Sequence, residues 1–122
     1  MDFTIKTYRH LLISLKEAGY HFITFEEWCA THETVKTVIL RHDVDKKPER
    51  SLALARIETS LGIKATYYFR IVPQSNQPVY IKAIAGLGHE IGYHYEDLSL
   101  AKGNIAGAYE NYRNNLAYFR IF

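Results

Sequence analysis

The chain is expected to fold as an α/β domain with parallel strands, and three observations predict this. Short runs rich in β-branched and aromatic residues alternate with segments whose apolar residues recur at helical spacing. Prolines and glycines punctuate the alternation: Pro48 and Pro78 suit first helical turns, while Gly62 and Gly86 to Gly88 fall where those helices should stop. Each strand-like run also ends in polar residues, and parallel α/β architectures bind ligands at the carboxyl ends of their strands. A doubly wound sheet and a (β/α) barrel both satisfy this pattern.

Taken in order, Ile5, Tyr8, Leu11, Leu12, Leu15 and Ala18 predict an amphipathic helix over residues 4–18, with Gly19 beyond its end. Thr24 to Glu27 forms a capping-box pattern opening a short helix through Trp28 and Cys29. Val35 to Asp43 is the first expected strand, and a helix presenting Leu54, Ile57 and Leu61 follows Pro48. Ile63 to Ile71 is the second strand, and a helix carrying Val79, Ile81, Ile84 and Ala85 follows Pro78. His89 to His94 is the third strand. Asn104 then caps a helix bearing Ile105, Ala108, Tyr109, Tyr112, Leu116 and Phe119. The domain division is a helical segment over 1–34 and βα units over 35–122, within one domain.

The bulk composition excludes several classes. At 122 residues and 48% hydrophobic content the chain is in the range of a single globular domain. Its formal charge is +2 and its basic residues are scattered, which argues against a nucleic-acid partner. No apolar run approaches the ~20 residues of a membrane span, and the N-terminus lacks a signal-peptide pattern. The single cysteine, Cys29, cannot form an internal disulfide, so a reducing cytoplasm is the expected location. Cys29 itself is expected to be buried and inert.

The chemistry concentrates in two clusters. Asp43 and Asp45 stand two residues apart on an extended backbone, hence on one face. Two ionised carboxylates this close repel each other and call for a cation, a shared proton or a positive neighbour. Residues 88–97, Gly-His-Glu-Ile-Gly-Tyr-His-Tyr-Glu-Asp, supply imidazole and carboxylate donors of the kind zinc, iron or nickel accepts. Asp43, Asp45, Arg70 and His94 all fall at strand carboxyl ends. A structural reading stands beside this one: Asp45 charging the helix after Pro48, and Asp43 paired with Arg41 or Arg70. Arg70 is either a solvated strand end or a group that orients a carboxylate or a substrate oxyanion. His42 should face away from the aspartates, and His89, at the start of its strand, reads as structural. Tyr67, Tyr68, Tyr93 and Tyr95 either stack on a ligand or pack as ordinary strand residues.

Arg41-His42-Asp43-Val44-Asp45, Ala65-Thr66-Tyr67-Tyr68-Phe69-Arg70 and Gly88-His89-Glu90-Ile91-Gly92-Tyr93-His94 together resemble the polysaccharide deacetylase family, the NodB-homology group of carbohydrate esterases. The resemblance covers about residues 35 to 119 and lies in the order and intervals of the motifs. It implies a (β/α) barrel, here a partial one with an N-terminal helical extension, and hydrolysis of N-acetyl groups on sugars. It also implies Asp43 as catalytic base, with Asp45 and His94 as ligands of a divalent metal, most readily zinc. Leu98 stands where the family's second metal histidine would be, and Asp97 is the expected substitute. Arg70 and Tyr95 are expected to bind substrate, an N-acetylated polysaccharide or oligosaccharide. The family's later motifs would lie beyond residue 122, so the expected domain is an incomplete barrel, or one that a second chain completes. Two alternatives compete: a truncated, inactive metal- or glycan-binding remnant, and a DxD nucleotide-sugar transferase or phosphohydrolase using magnesium or manganese. The absence of a glycine-rich phosphate loop and the softer ligand His94 argue against the second.

Overall fold

The computed structural model describes residues 4–32, 34–95 and 104–122. In α1 (Ile5–Glu17) the Thr4 hydroxyl accepts a hydrogen bond from the Thr7 amide at 3.1 Å, and Gly19 takes φ +88° just past the end, a conformation glycine adopts without a Cβ clash. The buried face of α1, Tyr8 and Leu12, packs with Ile63, with Leu54 and Ile57 of α3 (Pro48–Ser60), and with Leu61 just past its end. Between them come β1 (His21–Ile23), α2 (Phe25–Thr31), β2 (Thr37–Ile39) and β3 (Arg41–Val44). The predicted capping box opens α2: Thr24 Oγ1 accepts from the Glu27 amide and the Glu27 carboxylate accepts from the Thr24 amide, both at 3.2 Å. After α3 follow β4 (Thr66–Phe69), α4 (Pro78–Gly86), β5 (Glu90–Tyr93) and α5 (Ile105–Phe119). Asn104 caps α5, accepting from the Gly107 amide at 3.0 Å.

All strands pair in parallel. They form two open sheets, β1-β2 and β3-β4-β5, and no barrel closure is found among the described residues. The expected first strand is two strands: residues 37–39 pair with β1 and residues 41–44 pair with β4, the chain changing partner at Leu40. The other two strands are shorter than their apolar runs, covering 66–69 and 90–93. β1 was not expected, since three residues are too short to display a period. Cys29 is a correction. It is exposed, because α2 lies on the surface and buries none of its residues.

Period-two alternation divides the three-stranded sheet into two unlike faces. Val44, Tyr67, Phe69 and Tyr93 point into a core with Leu52 and Ala55 of α3, Ile81 and Ile84 of α4 and Phe119 of α5. Burying a large apolar side chain of this kind stabilises the fold by roughly 1.5–3 kcal/mol. Arg41, Asp43, Tyr68 and Gly92 lie on the opposite face.

Glu58 is fully buried where α1, α3, β3 and β4 meet. Tyr8 and Tyr67 donate their hydroxyls to it, Tyr67 at 2.5 Å, and His42 Nε2 donates at 2.7 Å. Burial opposes ionisation of Glu58, but the bonds from His42, Tyr67 and Tyr8 outweigh it and hold the carboxyl below its ordinary range. Burial and the Glu58 charge in turn push both tyrosine hydroxyls up. His89, as expected, is structural: Nδ1 accepts from the Ala65 amide at 3.0 Å, so the ring proton sits on Nε2 and reaches the Ala55 carbonyl at 3.0 Å.

Candidate active site

The register of the sheet sets Asp43 beside Tyr68 and Tyr68 beside Gly92. One further ladder bond, from the His94 amide to the Phe69 carbonyl at 2.9 Å, carries the β5 backbone past Tyr93 and places His94 at the carboxyl edge. Ser75, fully buried, ties the same edge together: its hydroxyl donates to the Val44 carbonyl and accepts from the Arg70 amide at 2.9 Å. The ends of β3 and β4 are thereby fixed relative to each other.

Asp43 is held from two sides. Its Oδ1 accepts from Arg41 Nε at 2.9 Å, and its Oδ2 faces His94 Nε2 at 3.8 Å. The second distance is too long for a direct hydrogen bond and short enough for one water or one cation to bridge. The Arg41 guanidinium lies 4.1 Å above the Tyr68 ring, a cation–π contact that limits where the guanidinium can swing. Tyr68 in turn lies over Gly92, where an added Cβ would come within 2.5 Å of the ring. Gly92, Tyr68, Arg41 and Asp43 thus form a stack that aims one carboxylate. Burial pushes the Tyr68 hydroxyl up; Glu90 and Asp43 add to the effect and Arg41 opposes it.

The amino end of this face is closed. Glu90 accepts from the Thr66 hydroxyl at 2.6 Å and from the Glu26 amide at 3.2 Å, and Phe25 meets Tyr68 edge-on at 6.2 Å. The opening therefore lies at the carboxyl end, in a cleft of about 600 Å³ lined by Arg41, Tyr68, Gly92, Tyr93, His94, Tyr95, Tyr112 and Leu116. That volume is within the usual range for small-ligand sites.

The predicted residues do not all share this cleft. His94 and Tyr95 line it, and Asp43, not itself among the lining residues, reaches it through its contacts with Arg41 and His94. Asp45 lies just past β3 and meets Arg70, Oδ1 to Nε at 3.9 Å, in a neighbouring depression with Lys46, Val72 and Gln74. The aspartates thus have positive neighbours, as their proximity requires: Arg41 for Asp43 and Arg70 for Asp45. Asp97 lies outside the described residues. His42 faces away from Asp43, toward Glu58, as the alternation predicts.

For a divalent metal, His94 and Asp45 are the described members of the expected ligand set. Nδ1 of His94 is buried without a hydrogen-bond partner among the described residues. His94 faces Asp43, however, while Asp45 faces Arg70. Among the described residues no group of three His, Cys, Asp or Glu side chains is placed to hold a metal.

Sequence reasoning missed the stacking role of Tyr68, the Ser75 tie, the buried Glu58 and the position of Tyr112. Gly92 carried a signal, since a glycine inside a strand marks close approach of another group. Ser75 and Tyr112 carried none. No helix of the described residues is long and apolar enough to cross a membrane. Comparison of the chain with protein-family models, with curated proteins and with solved structures finds no match in any of the three.

Proposed function

We propose that this chain is a deacetylase-like hydrolase of N-acetylated glycans, with Asp43 as its general base. The observation that carries the reading is the aimed carboxylate: Asp43 sits at the carboxyl edge of a parallel sheet, one oxygen held by Arg41 and the other turned to His94 across a gap one small species can fill. Asp43 takes a proton from the water that attacks the acetyl carbonyl, and that proton passes to the leaving amine nitrogen as the carbon–nitrogen bond breaks. Arg41 orients the base through its 2.9 Å hydrogen bond to Oδ1. Arg70 and Tyr95 are the substrate-binding residues in this reading. A divalent metal, zinc by the resemblance, would be held by His94, Asp45 and Asp97 and would supply polarisation of the carbonyl and a more acidic water.

The fold in this proposal is a partial barrel of the polysaccharide deacetylase type. Parallel strands with a polar inner face support it, and so do two sheets left open at their edges. A second chain is the proposed means of closing those edges. The compartment is the cytoplasm, with neither nucleic acid nor membrane as partner; the scattered charge and single cysteine support this.

The test is release of acetate from N-acetylated chito-oligosaccharides by the purified chain, with zinc removed by a chelator and then restored. Zinc-dependent turnover supports the proposal. A folded chain that binds zinc and releases no acetate contradicts it. A second reading, an inactive glycan- or metal-binding remnant, draws on one observation, the lack of three converging ligands among the described residues. Binding without turnover is its signature.

A further inference from the structure

An aromatic ladder runs from the core to the mouth of the cleft. Phe119 and Tyr93, both buried, stack with centroids 5.4 Å apart; Tyr93 meets Tyr112 at 5.9 Å; Tyr112 meets Tyr95 edge to face at 5.7 Å and 87°. The inner half of this ladder explains itself as the seam between α5 and β5. The outer half does not. Tyr95 is 67% exposed and Tyr112 keeps 37% of its surface exposed, and together they form a right-angled corner whose inner rung is fixed by Tyr93. Asn115 donates to the Tyr93 hydroxyl at 3.0 Å and helps to lock that rung.

The corner borders the same cleft as Arg41 and His94. A wall that joins aromatic rings to a guanidinium and an imidazole suits a ligand with both kinds of surface: a pyranose ring presents C–H groups on its faces and hydroxyls at its rim. We infer that Tyr95 and Tyr112 form a subsite for a second sugar ring, next to the sugar whose acetyl group meets Asp43, so that this chain selects oligosaccharides over monosaccharides. The inference rests on the glycan reading above. It adds a specificity determinant, Tyr112 on α5, that lies outside the motifs carrying the resemblance.

Binding, which needs no turnover, tests it. Titration by NMR of tetra-N-acetylchitotetraose against N-acetylglucosamine is expected to show tighter binding of the tetramer by wild type. Tyr112→Ala should weaken the tetramer by about five- to tenfold while leaving the monomer unchanged, and Tyr95→Ala should weaken the tetramer by at least as much. Tyr95→Phe and Tyr112→Phe, which keep the rings, should retain the preference. Equal affinity for tetramer and monomer, or alanine variants that bind the tetramer as wild type does, would overturn the subsite. Binding of neither sugar would overturn it as well. The two proposals fail separately: length-selective binding without acetate release sinks the deacetylase reading alone, and acetate release without length preference sinks the subsite alone.

Discussion

At position 92 only a hydrogen fits beneath the Tyr68 ring, since a Cβ there would lie 2.5 Å from it. Gly92→Ala must therefore displace the ring, and with it the guanidinium that lies 4.1 Å from the ring centre and holds Asp43. Overpacking of this kind costs about 1–3 kcal/mol, so urea unfolding should show a loss in that range, accompanied by lower turnover. Unchanged stability and turnover would mean that the stack does not aim the carboxylate. The glycine was legible in the sequence as an anomaly, a residue of poor strand propensity inside an expected strand. Which ring it admitted was not legible, because Tyr68 and Gly92 become neighbours only through the pairing of β4 with β5. The sequence offered Arg41 or Arg70 to Asp43, and Arg41, two residues away on the same face of β3, takes it while Arg70 meets Asp45.

Between elements, Glu58 joins α1, β3 and β4 to α3 through Tyr8, His42 and Tyr67, with His89 Nδ1 3.9 Å from its Oε1. Its folded pKa lies below the ordinary value of 4.5, so the ionised form stabilises the fold. That contribution is fully present above the unfolded value and is lost as pH falls through the folded one. Wild type is therefore expected to lose more stability between about pH 5 and about pH 3 than Glu58→Gln, which cannot ionise. At neutral pH the variant should be less stable, since each buried partner left unsatisfied costs about 1–3 kcal/mol. Parallel pH profiles from chemical denaturation would show that Glu58 is not the titrating link. The helices themselves were legible to within a residue or so, because caps, prolines and apolar spacing are local. Glu58 was not, since a charged residue in a helix reads as solvent-facing until the chains packed over it are known. The strands were harder again: a single expected strand from residue 35 to 43 gives no sign that its halves pair with different neighbours.

Across the whole chain, parallel strands normally bury both faces and read as continuous apolar runs. Here Arg-His-Asp-Val, Thr-Tyr-Tyr-Phe and Glu-Ile-Gly-Tyr mix polar and small residues with apolar ones, and that departure marks a polar face at the level of the residues themselves. The α/β class with parallel strands, and the place of Asp43, Asp45, Arg70 and His94 at strand carboxyl ends, followed from this pattern and from the βα alternation. The division into two sheets did not, because it depends on which strands pair and in what order. The central claim is that Asp43, aimed by Arg41 on that face, is the base of an N-acetyl hydrolase. Its most direct test is acetate release from tetra-N-acetylchitotetraose by zinc-supplemented wild type beside Asp43→Asn, with melting temperatures measured in parallel. The account predicts a loss of about 10²-fold or more with the melting temperature held, since the side chain is 42% exposed and near the surface. Equal rates from the two proteins, or no acetate from a folded wild type carrying zinc, would contradict it.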